Sequence, residues 1–106
     1  YKGITTGEYM DCMARLAVSK ENKIRIFECG MVNIFKIILT STNPSEEQNS
    51  SLTCIWNLCF DEKICDLFRK DKELIALITN LKNMTSSEEI QRKSAGILFT
   101  LNEFYN

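Results

Sequence analysis

Leu52-Thr53-Cys54-Ile55-Trp56-Asn57-Leu58-Cys59 puts apolar side chains at 52, 55, 58 and 59, an i, i+3, i+6, i+7 stripe. That spacing follows the turn of an α-helix and not the two-residue alternation of a half-buried strand. The pattern recurs upstream, where Cys12-Met13-Ala14-Arg15-Leu16 aligns with Cys54-Ile55-Trp56-Asn57-Leu58 at a shift of 42 residues. Val32, Phe35 and Leu39 map on Leu74, Leu77 and Leu81 at the same shift, and Ser45-Glu46 maps on Ser87-Glu88. From Gln48 onward the shift is 43, pairing Gln48 with Gln91, Leu52 with Ala95, Ile55 with Leu98, Asn57 with Thr100 and Leu58 with Leu101; one residue inserted near Ile90 accounts for it. Phe27 and Phe68 match at 41, so a second one-residue change falls in a connection, where length varies most easily. Ala95, Leu98 and Leu101 are therefore expected to form the apolar face of a last long helix.

Ser45-Glu46-Glu47-Gln48 and Ser86-Ser87-Glu88-Glu89 both read as capping boxes. In each, a Ser oxygen would accept a first-turn N–H, Gln or Glu three residues on would reach back, and the acidic residues suit the helix dipole. The expected helices are 8–18, 23–28, 32–40, 45–60, 63–70, 74–82 and 87–104, with a turn at Gly30, a break near Asp71 and no strand. A short, a middle and a long helix in that order make a unit that cannot close its own core and stacks on a neighbour.

Composition narrows the chemistry. The chain has 106 residues, 44% hydrophobic and 25% charged, with a net charge of -1. One Pro and four Gly leave no low-complexity linker, and a folded domain of ordinary apolar content is expected. Near-neutral charge argues against a phosphate-dominated nucleic-acid binder. The absence of His excludes Ser-His and Cys-His dyads and His-ligated zinc. The five cysteines, Cys12, Cys29, Cys54, Cys59 and Cys65, form no C-x-x-C pair, so reduced core thiols in a cytoplasmic protein are expected, with no metal and no cofactor. N-x-[ST] sequons at Asn49 and Asn83 would mark surface loops in a secreted chain. The apolar run from Ile34 to Leu39 carries Lys36 and is far short of the roughly 20 residues that span a bilayer, so no membrane partner is expected. A start at Tyr1 and an end inside an apolar pattern at Phe104 and Tyr105 read as a segment of a longer array.

The period near 42, with a short helix, a glycine turn, a middle helix and a long one, resembles the armadillo repeat. Ile55-Trp56-Asn57-Leu58-Cys59 is similar to that family's A-L-W-N-L-S stretch in the third helix. Glu28-Cys29-Gly30-Met31-Val32 resembles its G-G-I/L start of the second, and Ala95-Gly96-Ile97-Leu98-Phe99-Thr100-Leu101 repeats the third-helix pattern with Phe99 in the place of Trp56. The resemblance divides the chain into the end of one repeat (1–18), a complete repeat (19–60) and most of a further one (61–106). It implies an all-α, right-handed superhelical solenoid, with third helices lining a groove that holds an extended peptide or a partner helix. It also implies that an Asn at the position of Asn57 bonds the peptide backbone; Arg15 and Thr100 are the equivalents here. Nuclear-import members carry a Trp four residues before that Asn, where this chain has Asp11, Thr53 and Gly96.

Trp56 and Asn57 are adjacent, so at roughly 100° per residue they cannot both enter the core. Thr53 and Asn57 are expected at the exposed edge and Trp56 on the neighbouring flank. Asn57 offers donor and acceptor to a bound backbone, or bonds inside its own repeat; Trp56 offers apolar area with one N–H, or packs between repeats. Arg15 and the group Lys20, Lys23 and Arg25 would grip an acidic partner, or form a solvated face. The expected function is protein–protein interaction without catalysis, through Arg15, Thr53, Trp56, Asn57, Phe99 and Thr100. Its partners would be a protein or peptide and flanking repeats of the same chain. The competing expectation is a regulatory arm of a larger enzyme or signalling protein. Apolar ends are expected on both sides, because neither terminal copy carries a polar capping face.

Overall fold

In the computed structural model, residues 19–40 and 46–103 are described; the expected helix at 8–18, Arg15 and Cys12 lie outside them. The described residues are all-α, with six helices and no strand: α1 Lys20–Glu28, α2 Met31–Leu39, α3 Glu46–Leu58, α4 Glu62–Lys70, α5 Lys72–Met84 and α6 Glu88–Glu103. Four of the starts have a side-chain cap. Side-chain oxygens of Ser19, Asp61, Asp71 and Ser87 accept from the N–H groups of Asn22, Ile64, Leu74 and Ile90, satisfying first-turn donors that no helix can pair internally. Between α1 and α2 the chain turns on Gly30 at φ 81, a left-handed conformation that a side chain disfavours. Asp71 alone separates α4 from α5, and its cap on Leu74 makes α5 begin at Lys72, two residues before the expected start.

The capping box at the start of α6 closes only on one side. Ser87, not Ser86, is the cap of α6, which leaves Ile90 at the third helical position; Glu89 instead turns to α3, accepting from the Asn49 amide at 3.1 Å. Gln48 joins two helices. Its buried amide donates to the Ile38 carbonyl in the last turn of α2 at 3.5 Å, tying the end of α2 to α3.

α1, α2 and α3 pack on one another, as do α4, α5 and α6, and the two triplets join through α3 on α6 and α2 on α5. Phe27 of α1 meets Phe68 of α4 with ring centroids 5.9 Å apart. One buried cluster runs through both triplets and includes Phe35, Leu52, Ile55, Leu58, Phe68, Leu74, Ile78, Ile97 and Leu101. Arg69 closes the far end, donating from Nε to the Leu101 carbonyl, one of the last four of α6 without a helical partner.

Burial corrects the expected phase of three helices. Met31, Phe35 and Leu39 are buried in α2 and Leu74, Ile78 and Leu81 in α5, whereas Val32 and Leu77 are half-buried, so the middle helices correspond at 43 in their first two turns. In α6 the buried stripe is Ile90, Ser94, Ile97 and Leu101; Ala95 and Leu98 are half-buried on its flank. The reason is that α6 packs against α5 and α4 on one side and α3 on another, and that double contact, not the most apolar arc, sets which residues face inward.

Ser51 and Ser94, 43 residues apart, are both completely buried, and neither hydroxyl has a hydrogen-bond partner among the described residues. An unpaired buried hydroxyl costs stability, and Ala is the better helix former. Ser94→Ala is therefore expected to stabilise the fold by about 1 kcal/mol, read as a higher urea midpoint at constant slope. A lower midpoint would mean that the hydroxyl has a partner.

An ion cluster joins the middle helices. Lys36 Nζ lies 2.8 Å from Asp71 and 3.2 Å from Glu73. Burial pushes the Asp71 carboxyl upward, but the hydrogen bonds from Lys36 and the Leu74 N–H outweigh it and hold its pKa below the usual value. The Asp71 hydrogen bond, against a smaller effect of burial, raises the pKa of Lys36. Asp71 thus contributes stability at every pH above its unfolded pKa of about 3.9, and that share is lost as pH falls through the lower folded value. Lys36 contributes below its unfolded pKa of about 10.4 and loses its share as pH rises through the raised folded value. Asp71→Ala, which removes cap and ion pair, is expected to cost about 1–2 kcal/mol at pH 7. Asp71→Asn, which keeps the cap, should cost less and narrow the gap to wild type between pH 7 and pH 3; urea midpoints at the two pH values check both.

Candidate protein-interaction face

The seam between α3 and α6 gathers most of the expected site residues. Thr53 Oγ1 donates to the Asn49 carbonyl one turn earlier at 3.0 Å and accepts from Lys93 Nζ at 2.7 Å. Lys93 also lies 3.4 Å from Glu89, whose carboxylate accepts from Asn49. The Asn49 amide, and after it the Lys93 charge, hold the Glu89 carboxyl below its ordinary pKa. These four side chains form a closed polar clasp between the N-terminal halves of the two helices.

One turn further on, the clasp gives way to an aromatic contact. Trp56, half-buried, lies close against Gly96: a Cβ built there would sit 2.5 Å from Cζ2 and 2.6 Å from Cη2 of the indole. Its Nε1 donates to Thr100 Oγ1 at 3.1 Å, and that hydroxyl donates in turn to the Gly96 carbonyl at 2.8 Å. Thr100, 5% exposed, is thereby corrected from a surface position to an interior one. Its hydroxyl both accepts and donates within the seam. Of the two readings open for Trp56, its geometry is that of packing between helices, with its N–H already engaged.

Phe99 stands apart. It occupies the place of Trp56 in its own copy, yet it is 65% exposed where Trp56 is half-buried. Asn57 is half-buried at the end of α3. Phe60, 46% exposed just past that end, has Lys23 Nζ 5.8 Å from its ring centroid, which gives one of the basic residues of α1 a cation–π contact.

Sequence reasoning missed the clasp. On local grounds Glu89 reads as a capping residue and Asn49 as part of a sequon, and Lys93 falls in no motif; the available signal is the pair of 40-residue spacings, Asn49 to Glu89 and Thr53 to Lys93, between the third helices. The sequon at Asn49 sits inside α3 with Ser51 buried, so it is not a surface loop.

The thiols of Cys54, Cys59 and Cys65 are buried. Burial pushes Cys54 up to about 12 and Cys59 higher still. Cys65 is also raised, with Arg69 opposing; its sulfur lies 3.7 Å from the guanidinium. Protonated sulfur is neither nucleophile nor metal ligand. Cys29, by contrast with the core position expected for it, is exposed at the turn before Gly30. No helix among the described residues is long and apolar enough to cross a membrane.

No family model matches the chain, and comparison with curated proteins and with solved structures finds no match either.

Proposed function

We propose that the chain is a non-enzymatic protein-interaction module, a segment of an armadillo-like, right-handed superhelical solenoid that binds an extended peptide or a partner helix on its third helices. The observation that carries this reading is the pairing of like with like. α3 rests on α6, α2 on α5, and Phe27 of α1 on Phe68 of α4, so elements equivalent in the repeat are neighbours in space. Units stacked in that way leave the third helices as one continuous row. The polar clasp and the Trp56–Gly96–Thr100 contact hold adjacent members of the row in register, while Phe99 and Asn57 meet the partner, with Arg15 in the preceding position. Large, rigid aromatic side chains such as Phe99 supply contact area at little entropic cost.

Flanking repeats belong to the same reading. Ile34 and Ile37, 41% and 71% exposed, stand 43 residues before Leu77 and Asn80, which face Leu39 and Thr40 at the junction of α2 and α5. The exposed isoleucines occupy the positions at which a middle helix meets its predecessor, and an apolar end of this kind calls for a neighbouring unit. Free thiols at the buried Cys54, Cys59 and Cys65 fit a reducing, cytoplasmic setting.

The test places a photo-reactive benzophenone side chain at Phe99 or, as control, at Leu67 of α4, itself 47% exposed. Cross-linking to a protein partner in cells is expected from position 99 and not from 67. Equal products from both, or product from 67 alone, would overturn the assignment.

A further inference from the structure

We draw no further inference here: the strongest candidate, the apolar pocket of about 410 Å³ between the C-terminal ends of α2 and α5, lined by Leu39, Leu77, Leu81 and Met84, ends at Thr40 beside residues 41–45, which lie outside the described residues, and nothing in the structure shows what covers it.

Discussion

Leu58→Ala is expected to lower the unfolding free energy by about 2–5 kcal/mol, a large part of the total for a chain of this size. Leu58 is completely buried at the end of α3, where the continuous core passes from the first triplet to the second. Truncation there removes the transfer free energy of three carbons and leaves a cavity between elements that are held from both sides and collapse poorly. The control is Leu67→Ala on α4. Leu67 is 47% exposed, and the change should fall within about 0.5 kcal/mol of wild type. Urea midpoints at unchanged slope measure both. A Leu58 variant no less stable than the Leu67 variant would mean that the third helix does not face the core as described.

Gly96→Ala carries the second large effect, and its sign is the informative part. A glycine inside a helix is ordinarily about 1 kcal/mol less favourable than alanine, so on propensity alone the change stabilises. Here the added methyl would approach the Trp56 ring to 2.5 Å, where carbons prefer roughly 3.5–4.0 Å. The indole would have to lift, giving up its hydrogen bond to Thr100 and its contact with α6. Overpacking of this kind costs about 1–3 kcal/mol and the lost hydrogen bond about 1 more, against a propensity gain of about 1, so a net loss of about 1–3 kcal/mol is expected. With Trp56→Ala as background the obstruction is gone, and the same Gly96→Ala should stabilise by about 1 kcal/mol. The reversal isolates the pair from any general effect of either substitution. A gain of equal size in both backgrounds would remove Trp56 from Gly96.

The order and type of the helices were legible because their causes are local. Apolar spacing from Leu52 to Cys59, the positive-φ glycine before Met31 and the serine ahead of Glu88 act within a turn of their own positions. The phase of those helices was less legible. Ile34-Phe35-Lys36-Ile37-Ile38-Leu39 is apolar on nearly every side, so periodicity alone cannot decide that Phe35 and Leu39 are buried while Ile37 is 71% exposed. Polarity alone would place Gln48, Ser51, Ser94 and Thr100 at the surface, yet all four are buried. Gln48 and Thr100 find partners 10 and 44 residues away, beyond the reach of any short pattern. The candidate face divided along the same line. Exposure at Phe99 could be expected from its place in the repeat, but that Trp56 and Thr100 satisfy each other depends on the spacing of two helices. Glu89 shows the difference most plainly: a good first-turn residue on local grounds, it serves across the seam.

The most direct test of like-on-like stacking is a nuclear Overhauser measurement from the indole of Trp56, the single tryptophan of the chain. Stacking of α3 on α6 predicts strong cross-peaks from the Cζ2 and Cη2 protons of the ring to both α-protons of Gly96, together with one from the indole N–H to the Thr100 side chain. A Trp56 ring with cross-peaks only to residues of its own triplet, and none to α6, would contradict it.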